Sequence, residues 1–393
     1  MKTAARILFC LCLTVLLGFG SLVLYLRYGL SDRYTLAEGE TLQLLRGSLI
    51  GQEVREDGDG YCVDLVLPGG MTVKTVQVDV TERKMVMPSG APFGVKMFTR
   101  GVIVVGLSDV TSGGQRQNPA RRAGLETGDI ILEIDGEAVN GNKMLGQRVA
   151  ASHGEALHLL VQRDETLLEM SLVPVFSDTE NTWRAGVWVR DSSAGIGTMT
   201  YWDPTTGQFG GLGHAICDVD TGELMPLNSG QIVGVEITNV EKGKSGDPGE
   251  LQGSFINDEV LGELTDNTAT GIYGQTAGGD AEYLCSQEPL PVALRTEVHT
   301  GPAAVFTTIS GSQPKEYDIN IERVDPSASS TKNMVIRVTD PELLAQTGGI
   351  LQGMSGSPII QEGKLVGAVT HVFVNDPTRG YGIFIENMLD AAG

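Results

Sequence analysis

From Arg184 to the C-terminus the chain is a succession of short apolar runs, separated by glycine and turn residues, with almost no helical period. Within most of these runs apolar and polar residues alternate, which is typical of strands with one buried face. The clearest runs are 187–189, 196–202, 233–240, 271–273, 303–309, 319–324 and 334–338. Many short strands at this spacing favour a closed β-barrel or a pair of barrels. The sequence therefore predicts a mainly β fold for this half of the chain.

Length and charge narrow the classes of protein that the chain can represent. Its 393 residues suggest two or three domains, and its 52 glycines with only 6% aromatic residues indicate many turns. The formal net charge is −21. Because phosphate binding requires a basic surface, this charge argues against nucleic acid as a partner.

The N-terminus has the pattern of a membrane anchor. Residues 7–26 are apolar and uncharged, which is long enough to cross a bilayer, and Lys2 and Arg6 precede them. That order predicts a cytoplasmic N-terminus and export of the rest. A cleaved signal peptide is the alternative, but no Ala-x-Ala site follows the apolar run. We therefore expect an anchor over residues 1–28, followed by a stalk and short β region over residues 29–88.

The cysteines predict no disulfide framework. Cys10 and Cys12 fall in the apolar segment, and Cys62, Cys217 and Cys285 are odd in number and widely spaced. We expect the last three to be buried free thiols. No zinc pattern and no cofactor motif is evident, since no second pair of ligands completes a site with His214 and Cys217.

Residues 89–176 have the element order of a small mixed domain. A strand at 101–107 precedes a short helix closed by Gly124, and a strand with an Asp135-Gly136 turn follows. This succession resembles a PDZ domain of the kind attached to bacterial envelope proteases. In that resemblance Phe93, Gly94 and Val95 form the carboxylate-binding loop, which implies capture of peptide C-termini. A PDZ domain that only packs on its neighbour is the alternative.

One serine near the C-terminus has the surroundings of a nucleophile. The run Gly353-Met354-Ser355-Gly356-Ser357-Pro358 is a tight bend followed directly by a β-hairpin. Such a bend exposes a hydroxyl, and its backbone N–H groups can converge on an oxyanion because glycine adds no Cβ. A Gly-Ser loop without chemistry would look similar, but the flanking strands favour the nucleophile hairpin of a two-barrel serine protease. By analogy with that fold, the N–H groups of Gly353 and Ser355 are the oxyanion donors.

A serine nucleophile needs a histidine base, and the chain has five histidines. His214 is the candidate, since it follows a glycine-rich approach and precedes Ser355 by more than a barrel's length. His153 and His158 fall in the PDZ-like segment, His299 has no supporting motif, and His371 is expected to be structural or near the substrate groove. For the third member, the chymotrypsin order points to Asp258 or Asp266. Spacing alone leaves several acids open: Asp218, Asp220, Asp258, Asp266 and Asp340.

Several phrases of the chain together resemble the stage IV sporulation protein B family of membrane-anchored serine peptidases from endospore-forming bacteria. The phrases are residues 190–200, 211–214, 289–294, 347–358 and 367–378. The resemblance implies a chymotrypsin-like double barrel over residues 180–393, with Ser355 as nucleophile, His214 as base and Asp340 as acid. Asp258 and Asp266 remain rivals for the acid.

The same resemblance implies a role in sporulation signalling. The peptidase would be exported at the forespore membrane and face the intermembrane space. There it would cleave itself and then a membrane-bound regulator of an intramembrane protease, so that a late sigma factor is processed. Two alternatives stay open, a non-catalytic membrane-tethered PDZ adaptor and a general envelope quality-control protease. A third, an esterase, is disfavoured because a strand rather than a helix follows Ser355.

Overall fold

The computed structural model describes residues 13–14, 17–37, 42, 44, 50–58, 60–277, 288–326 and 331–393, without the side chains of 35, 37 and 257–259. The chain divides into two units, Met1–Lys84 and Met85–Gly393. Half of the predicted anchor, residues 1–12, 15 and 16, lies outside the described residues. Across the described ranges, no helix combines the length and the apolar character needed to cross a membrane. Asp258 and Cys285 also fall among the positions whose side chains are not described.

The first unit contains a four-stranded sheet in the order β1-β4-β3-β2, beside a short π-helix at Tyr25–Gly29. The strands are β1 (Arg33–Ala37), β2 (Gly51–Asp57), β3 (Gly60–Leu67) and β4 (Met71–Thr81). Val63, Leu65 and Val78 face its apolar cluster and are almost fully buried. These four strands thus lie within residues 29–88, for which the sequence predicted a stalk and a short β region.

The second unit begins with β5 (Met85–Pro88) and the 16-residue strand β6 (Pro92–Leu107). A module of short elements follows: β7 (Val110–Ser112), β8 (Gln115–Gln117), α1 (Pro119–Ala123), β9 (Ile130–Ile134), β10 (Glu137–Ala138), α2 (Asn142–Ala151), β11 (Leu157–Arg163), β12 (Thr166–Leu172), β13 (Val175–Ser177) and β14 (Thr182–Arg184). As the sequence predicts, α1 ends at Gly124, which has φ +91°. The chain then returns as β15 (Val187–Trp202), antiparallel to β6 from Val187 opposite Leu107 to Thr198 opposite Pro92.

This topology differs from the predicted division of the chain into a PDZ-like domain followed by a peptidase domain. The module lies between two strands that continue into a barrel, so the PDZ-like segment is an insertion rather than a separate domain at 89–176. Phe93, Gly94 and Val95 lie in β6, between β15 and β17 (Leu227–Glu241), and all three are buried. They therefore do not form a carboxylate-binding loop. Gly94 is small for a packing reason, since a Cβ there would lie 2.4 Å from the Phe255 ring.

Six strands of the second unit form a closed antiparallel ring, the first barrel. The ring runs β6-β17-β18-β19-β16-β15 and closes through the β15–β6 pairing. Its remaining strands are β16 (Gln208–Gly211), β18 (Glu250–Thr268) and β19 (Gly271–Thr276). Its core cluster includes Phe93, Met97, Phe209 and Ile232. The prediction of a barrel is confirmed for this ring, although its first strand precedes the inserted module.

A second closed barrel follows β20 (Leu290–Pro291), which pairs with β5. Its strands are β21 (Gly301–Thr307), β22 (Lys315–Val324), β23 (Met334–Val338), β24 (Pro358–Gln361), β25 (Lys364–Phe373) and β26 (Asp376–Phe384), in the order β21-β22-β23-β26-β25-β24. Helix α3 (Pro341–Thr347) lies between β23 and β24, and α4 (Ile385–Ala392) follows β26. The prediction of a mainly β fold is confirmed. Two six-stranded barrels follow each other along the chain.

Candidate active site

Ser355 lies in the loop between α3 and β24. Glycines flank it at positions where the backbone is left-handed, with φ +95° at Gly353 and +97° at Gly356. Gly356 N–H donates to the carbonyl of Val369 at 2.8 Å. Within the described part of the chain, the N–H groups of Gly353 and Ser355 make no hydrogen bond. These two amides are therefore free to bind a substrate oxygen.

The first barrel holds this loop by three hydrogen bonds from β15. Thr198 N–H donates to the Ser355 carbonyl at 3.0 Å, and the Thr198 hydroxyl donates to the Gly353 carbonyl at 2.8 Å. The Thr200 hydroxyl donates to the Gly356 carbonyl at 2.7 Å. Each of these bonds fixes one peptide group of the loop. The position of Ser355 thus depends on both barrels.

His214 follows β16, in a loop that touches the Ser355 loop. Leu212 and Gly213 have φ of +65° and +69°, so the chain turns sharply just before the histidine. A Cβ at Gly356 would lie 2.0 Å from the Thr198 carbonyl oxygen and 2.5 Å from the Leu212 nitrogen. Only glycine at 356 allows this approach. The sequence pattern of glycines around both residues is therefore explained by the contact between the two loops.

His214 and Ser355 line the same cavity, which has a volume of about 350 Å³. Its other walls come from β6, from β15, from the loop around His214 and from the loop before Ser355. They are Val95, Ser193, Gly195, Ile196, Leu212, Ala215, Ile216, Cys217, Gln352 and Gly353. The cleft thus brings together the predicted nucleophile, the predicted base and the predicted oxyanion donors. Cys217, expected to be buried, is exposed at this site, and Cys62 is half-buried.

A backbone carbonyl orients the ring of His214. Its Nδ1 lies 2.8 Å from the carbonyl oxygen of Ala215. Because a carbonyl only accepts, Nδ1 carries the proton and Nε2 is left with a lone pair. Burial lowers the pKa of His214, and the bond to Ala215 offsets part of that decrease. A neutral ring with a free Nε2 is the form that a general base requires.

The hydroxyl of Ser355 donates to the Thr370 carbonyl at 2.8 Å. It makes no hydrogen bond to His214 in this conformation. Rotation about the Cα–Cβ bond of Ser355 must therefore precede transfer of its proton to the imidazole. Ser355 lines the open cavity together with His214.

The predicted acid, Asp340, is not at this site. One of its carboxylate oxygens accepts from Leu343 N–H at 2.8 Å, so the residue caps the N-terminus of α3. Asp266 is exposed on β18, and buried Asp218 is paired with Arg190. Among the described side chains, no carboxylate forms a hydrogen bond with His214. In this structure the Asp340 carboxylate therefore caps α3, the helix that precedes the Ser355 loop.

His371 lies beside His214 in the structure, a contact that the sequence did not predict. The two ring centroids are 5.1 Å apart. Desolvation, followed by the charges of His214 and Lys332, lowers the pKa of His371 to about 4. Sequence reasoning expected a structural residue or one near the substrate groove. The approach depends on the pairing of β25 in the second barrel, which no local pattern encodes.

The inserted module has a groove of about 420 Å³ between α2 and the start of β15. Leu145 and Val149 of α2 line one side, and Gly186 and Trp188 lie on the other. Residues 187–190 of β15 pair with β6 along one edge, and no described strand pairs with the opposite edge. Trp188 is 65% exposed there. A free strand edge beside a helix can accept an extended peptide as an added strand.

The fold and the site define a class of protein, a serine peptidase that carries a PDZ domain. A family model described as SpoIVB peptidase S55 matches residues 181–389, and a PDZ domain model matches residues 110–163. Since the first match covers more than half of the chain, the chain belongs to the SpoIVB peptidase S55 family. The predicted family and the predicted enzyme class are both confirmed.

Solved structures with weaker similarity accompany these matches. A PDZ domain of an SdrC-like protein from Listeria monocytogenes is 20% identical, with a TM-score of 0.19, and the match covers 23% of this chain and 87% of that chain. The Rv3671c protease from M. tuberculosis in an inactive form is 13% identical, with a TM-score of 0.28. The match covers 50% of this chain and 84% of that chain. An inactive serine-to-alanine mutant of Rv3671c is 15% identical, with a TM-score of 0.30. The match covers 50% of this chain and 82% of that chain. Similarities at this level carry no argument about the site.

Proposed function

We propose that this serine peptidase is an endopeptidase in which Ser355 is the nucleophile and His214 is the general base. One observation carries the proposal. Both side chains line one cavity, together with Gly353, whose N–H group is unbonded in the described part of the chain. Nucleophile, base and oxyanion donors are the three parts that acyl transfer to serine requires.

The reaction follows from this arrangement. Ser355 Oγ turns from the Thr370 carbonyl, gives its proton to Nε2 of His214 and forms a bond to the substrate carbonyl carbon. The N–H groups of Gly353 and Ser355 donate to the resulting oxyanion. The C–N bond then breaks as Nε2 returns the proton to the leaving amine. Water, deprotonated by the same nitrogen, releases the acyl group and restores Ser355.

We further propose that the groove beside α2 binds peptide C-termini, in place of the loop predicted at residues 93–95. The free edge of β15 would supply main-chain hydrogen bonds, and Leu145 and Val149 would contact an apolar side chain. Because β15 continues into the cavity at Ile196, the groove and the cleft lie along one strand. The module would thus present substrates or hold the peptidase inactive.

The cellular role that we propose rests on family membership and the apolar segment at 7–26. The chain would be anchored by residues 1–28 in the forespore membrane, with its peptidase part exported. It would cleave itself and then a membrane-bound regulator of an intramembrane protease, which leads to processing of a late sigma factor. A narrow set of cleavage sites would distinguish this role from general quality control.

Ser355→Ala in the full-length chain, reconstituted in vesicles, tests the proposal. We expect autoprocessing and labelling by a fluorophosphonate probe to be lost, and His214→Ala to lose both as well. Ser193→Ala is the matched control, because Ser193 lines the same cavity and takes no part in the reaction proposed above. Undiminished autoprocessing in Ser355→Ala would favour the PDZ adaptor. Broad degradation of casein by the wild-type chain would favour a quality-control protease.

A further inference from the structure

Asn267 lies near the end of β18, and its side-chain amide makes three hydrogen bonds to the segment after His214. Its Oδ1 accepts from Ile216 N–H at 2.8 Å. Its Nδ2 donates to the carbonyls of Ile216 and Met225 at 2.9 and 2.8 Å. Both N–H donors and the oxygen of the amide are thus engaged by backbone groups. Such a set fixes the segment more firmly than any single bond.

One of these bonds acts on the catalytic histidine through a single peptide group. Ile216 N–H and the Ala215 carbonyl belong to the same planar unit. Asn267 holds the N–H end of that unit, and the carbonyl end accepts from Nδ1 of His214 at 2.8 Å. A hydrogen bond at one end of a peptide group also polarises the other end, which makes the carbonyl a better acceptor.

We propose that Asn267 is a positioning residue that orients His214 through the 215–216 peptide group. The order His214, Asn267, Ser355 along the chain is the order of base, acid and nucleophile in chymotrypsin. Asp266, the neighbouring residue that this order predicted, is exposed on β18. The relay consists of the Asn267 amide, the 215–216 peptide group and the His214 imidazole. This inference rests on the proposed roles of Ser355 and His214.

The relay has consequences that differ from those of a structural hydrogen bond. Loss of Asn267 frees the 215–216 peptide group to rotate, so His214 loses the acceptor that keeps the proton on Nδ1. The other tautomer presents a protonated Nε2 to Ser355 and cannot act as a base. Asn267→Asp keeps an acceptor for Ile216 N–H, but its second oxygen would face the carbonyls of Ile216 and Met225. Both substitutions therefore remove the base, by different routes.

The test compares full-length Asn267→Ala with Asn239→Ala. Asn239 is an exposed asparagine of the same barrel whose amide donates to the side chain of Gln252. We expect the second-order rate of fluorophosphonate labelling to fall by about 10- to 100-fold in Asn267→Ala, the range of a mispositioned general base, and to be unchanged in Asn239→Ala. With ¹⁵N-labelled histidine, the Nδ1–H signal of His214, assigned with His214→Ala, should be lost only in the Asn267 variant.

A wild-type labelling rate in Asn267→Ala, or a retained Nδ1–H signal, would overturn the proposal. If Asn267→Ala does not melt cooperatively, the isosteric Asn267→Asp decides by the same two measurements. Ser355→Ala separates this proposal from the proposed function. That variant should lose labelling but keep the Nδ1–H signal of His214, whereas undiminished labelling in it would refute the role of Ser355 instead.

Discussion

The backbone N–H of Thr198 donates to the carbonyl oxygen of Ser355 at 3.0 Å, so a strand of the first barrel holds the nucleophile loop of the second. Thr198 belongs to β15, which begins at Val187 beside the groove of the inserted module. One uninterrupted strand therefore runs from the groove to the cleft. β15 thus connects the groove of the inserted module with the loop that carries Ser355.

Thr198→Val tests how much the loop depends on this strand. The change removes the hydroxyl bond to the Gly353 carbonyl but keeps the backbone bond to Ser355. We expect a loss of about 1 kcal/mol in the free energy of unfolding, the usual net value of a hydrogen bond. Labelling by a fluorophosphonate should slow by about 10-fold, because the oxyanion donor at Gly353 is less well placed.

The matched control for that variant is Thr238→Val. The Thr238 hydroxyl donates to the carbonyl of Gln252 at 3.3 Å on the exposed side of β17. Its loss should change neither labelling nor unfolding measurably. Equal labelling rates in Thr198→Val and Thr238→Val would mean that the Thr198 hydroxyl has no role in holding the loop.

Gly356→Ala adds only one methyl group, but it should lower both the stability of the protein and the labelling of Ser355 strongly. The new Cβ would lie 2.0 Å from the Thr198 carbonyl oxygen, and the backbone at 356 is left-handed. Both loops must move apart, at a cost of roughly 2–4 kcal/mol in the free energy of unfolding. We expect labelling of Ser355 by a fluorophosphonate to be abolished. Urea unfolding of the same variant measures the loss of stability.

Gly363→Ala provides the comparison. Gly363 has φ +73° in the β24–β25 turn, but a Cβ there meets no atom within 4 Å. Its cost should be only the left-handed strain of about 1–2 kcal/mol, with labelling unchanged. Similar labelling in the two variants would show that the contact of residue 356 with Thr198 and Leu212 is not needed for activity.

The sequence predicted the parts of the site that local rules govern. The glycines around His214 and Ser355 mark sharp turns with left-handed backbone, and strand alternation predicted the barrels. The inserted module was missed because the pairing of β6 with β15 joins segments far apart in sequence. Phe93-Gly94-Val95 has a pattern that fits a binding loop and a buried strand equally well. Pairing with β15 on one side and β17 on the other decides between them.

The residues that support the loops of Ser355 and His214 could not be predicted, for a different reason. Asp340 precedes Pro341, which is also the signature of a helix N-cap, and the structure shows that function for its side chain. Asn267 carries no charge and follows no motif, so nothing in the sequence distinguishes it from a turn residue. Its importance depends on its reaching the 215–216 peptide group across the barrel.

The pH dependence of labelling should reflect the buried position of His214. The base acts only as the neutral imidazole, and burial lowers the pKa of His214 below its ordinary value of about 6.5. A lowered pKa keeps the ring neutral at lower pH, so the acid limb of the rate should lie below pH 6.5. The pH–rate profile is measured in the full-length chain at constant ionic strength. An acid limb centred above pH 6.5 would contradict the desolvation of His214.

His371 should modulate the same limb, because its ring lies 5.1 Å from that of His214. His371→Lys puts a permanent positive charge there, beside Lys332, which already faces His371. That charge opposes formation of the His214 imidazolium, so labelling should slow by about 3- to 10-fold and the acid limb should move to lower pH. His371→Gln, which is neutral and polar, should change neither. Identical profiles for all three chains would exclude an electrostatic role for residue 371.

Gly146 offers a way to close the groove of the inserted module without touching its core. It is exposed on α2 and lines the groove, and a Cβ at this position would meet no atom within 4 Å. Gly146→Trp should fill the space between α2 and Trp188 and abolish binding of fluorescein-labelled decapeptides with a free apolar C-terminus, measured by anisotropy. Gly146→Ala is the control, since it should bind normally and gain about 0.5–1 kcal/mol from helix propensity. Equal binding of the same peptides with amidated C-termini would show that the groove does not recognise a carboxylate.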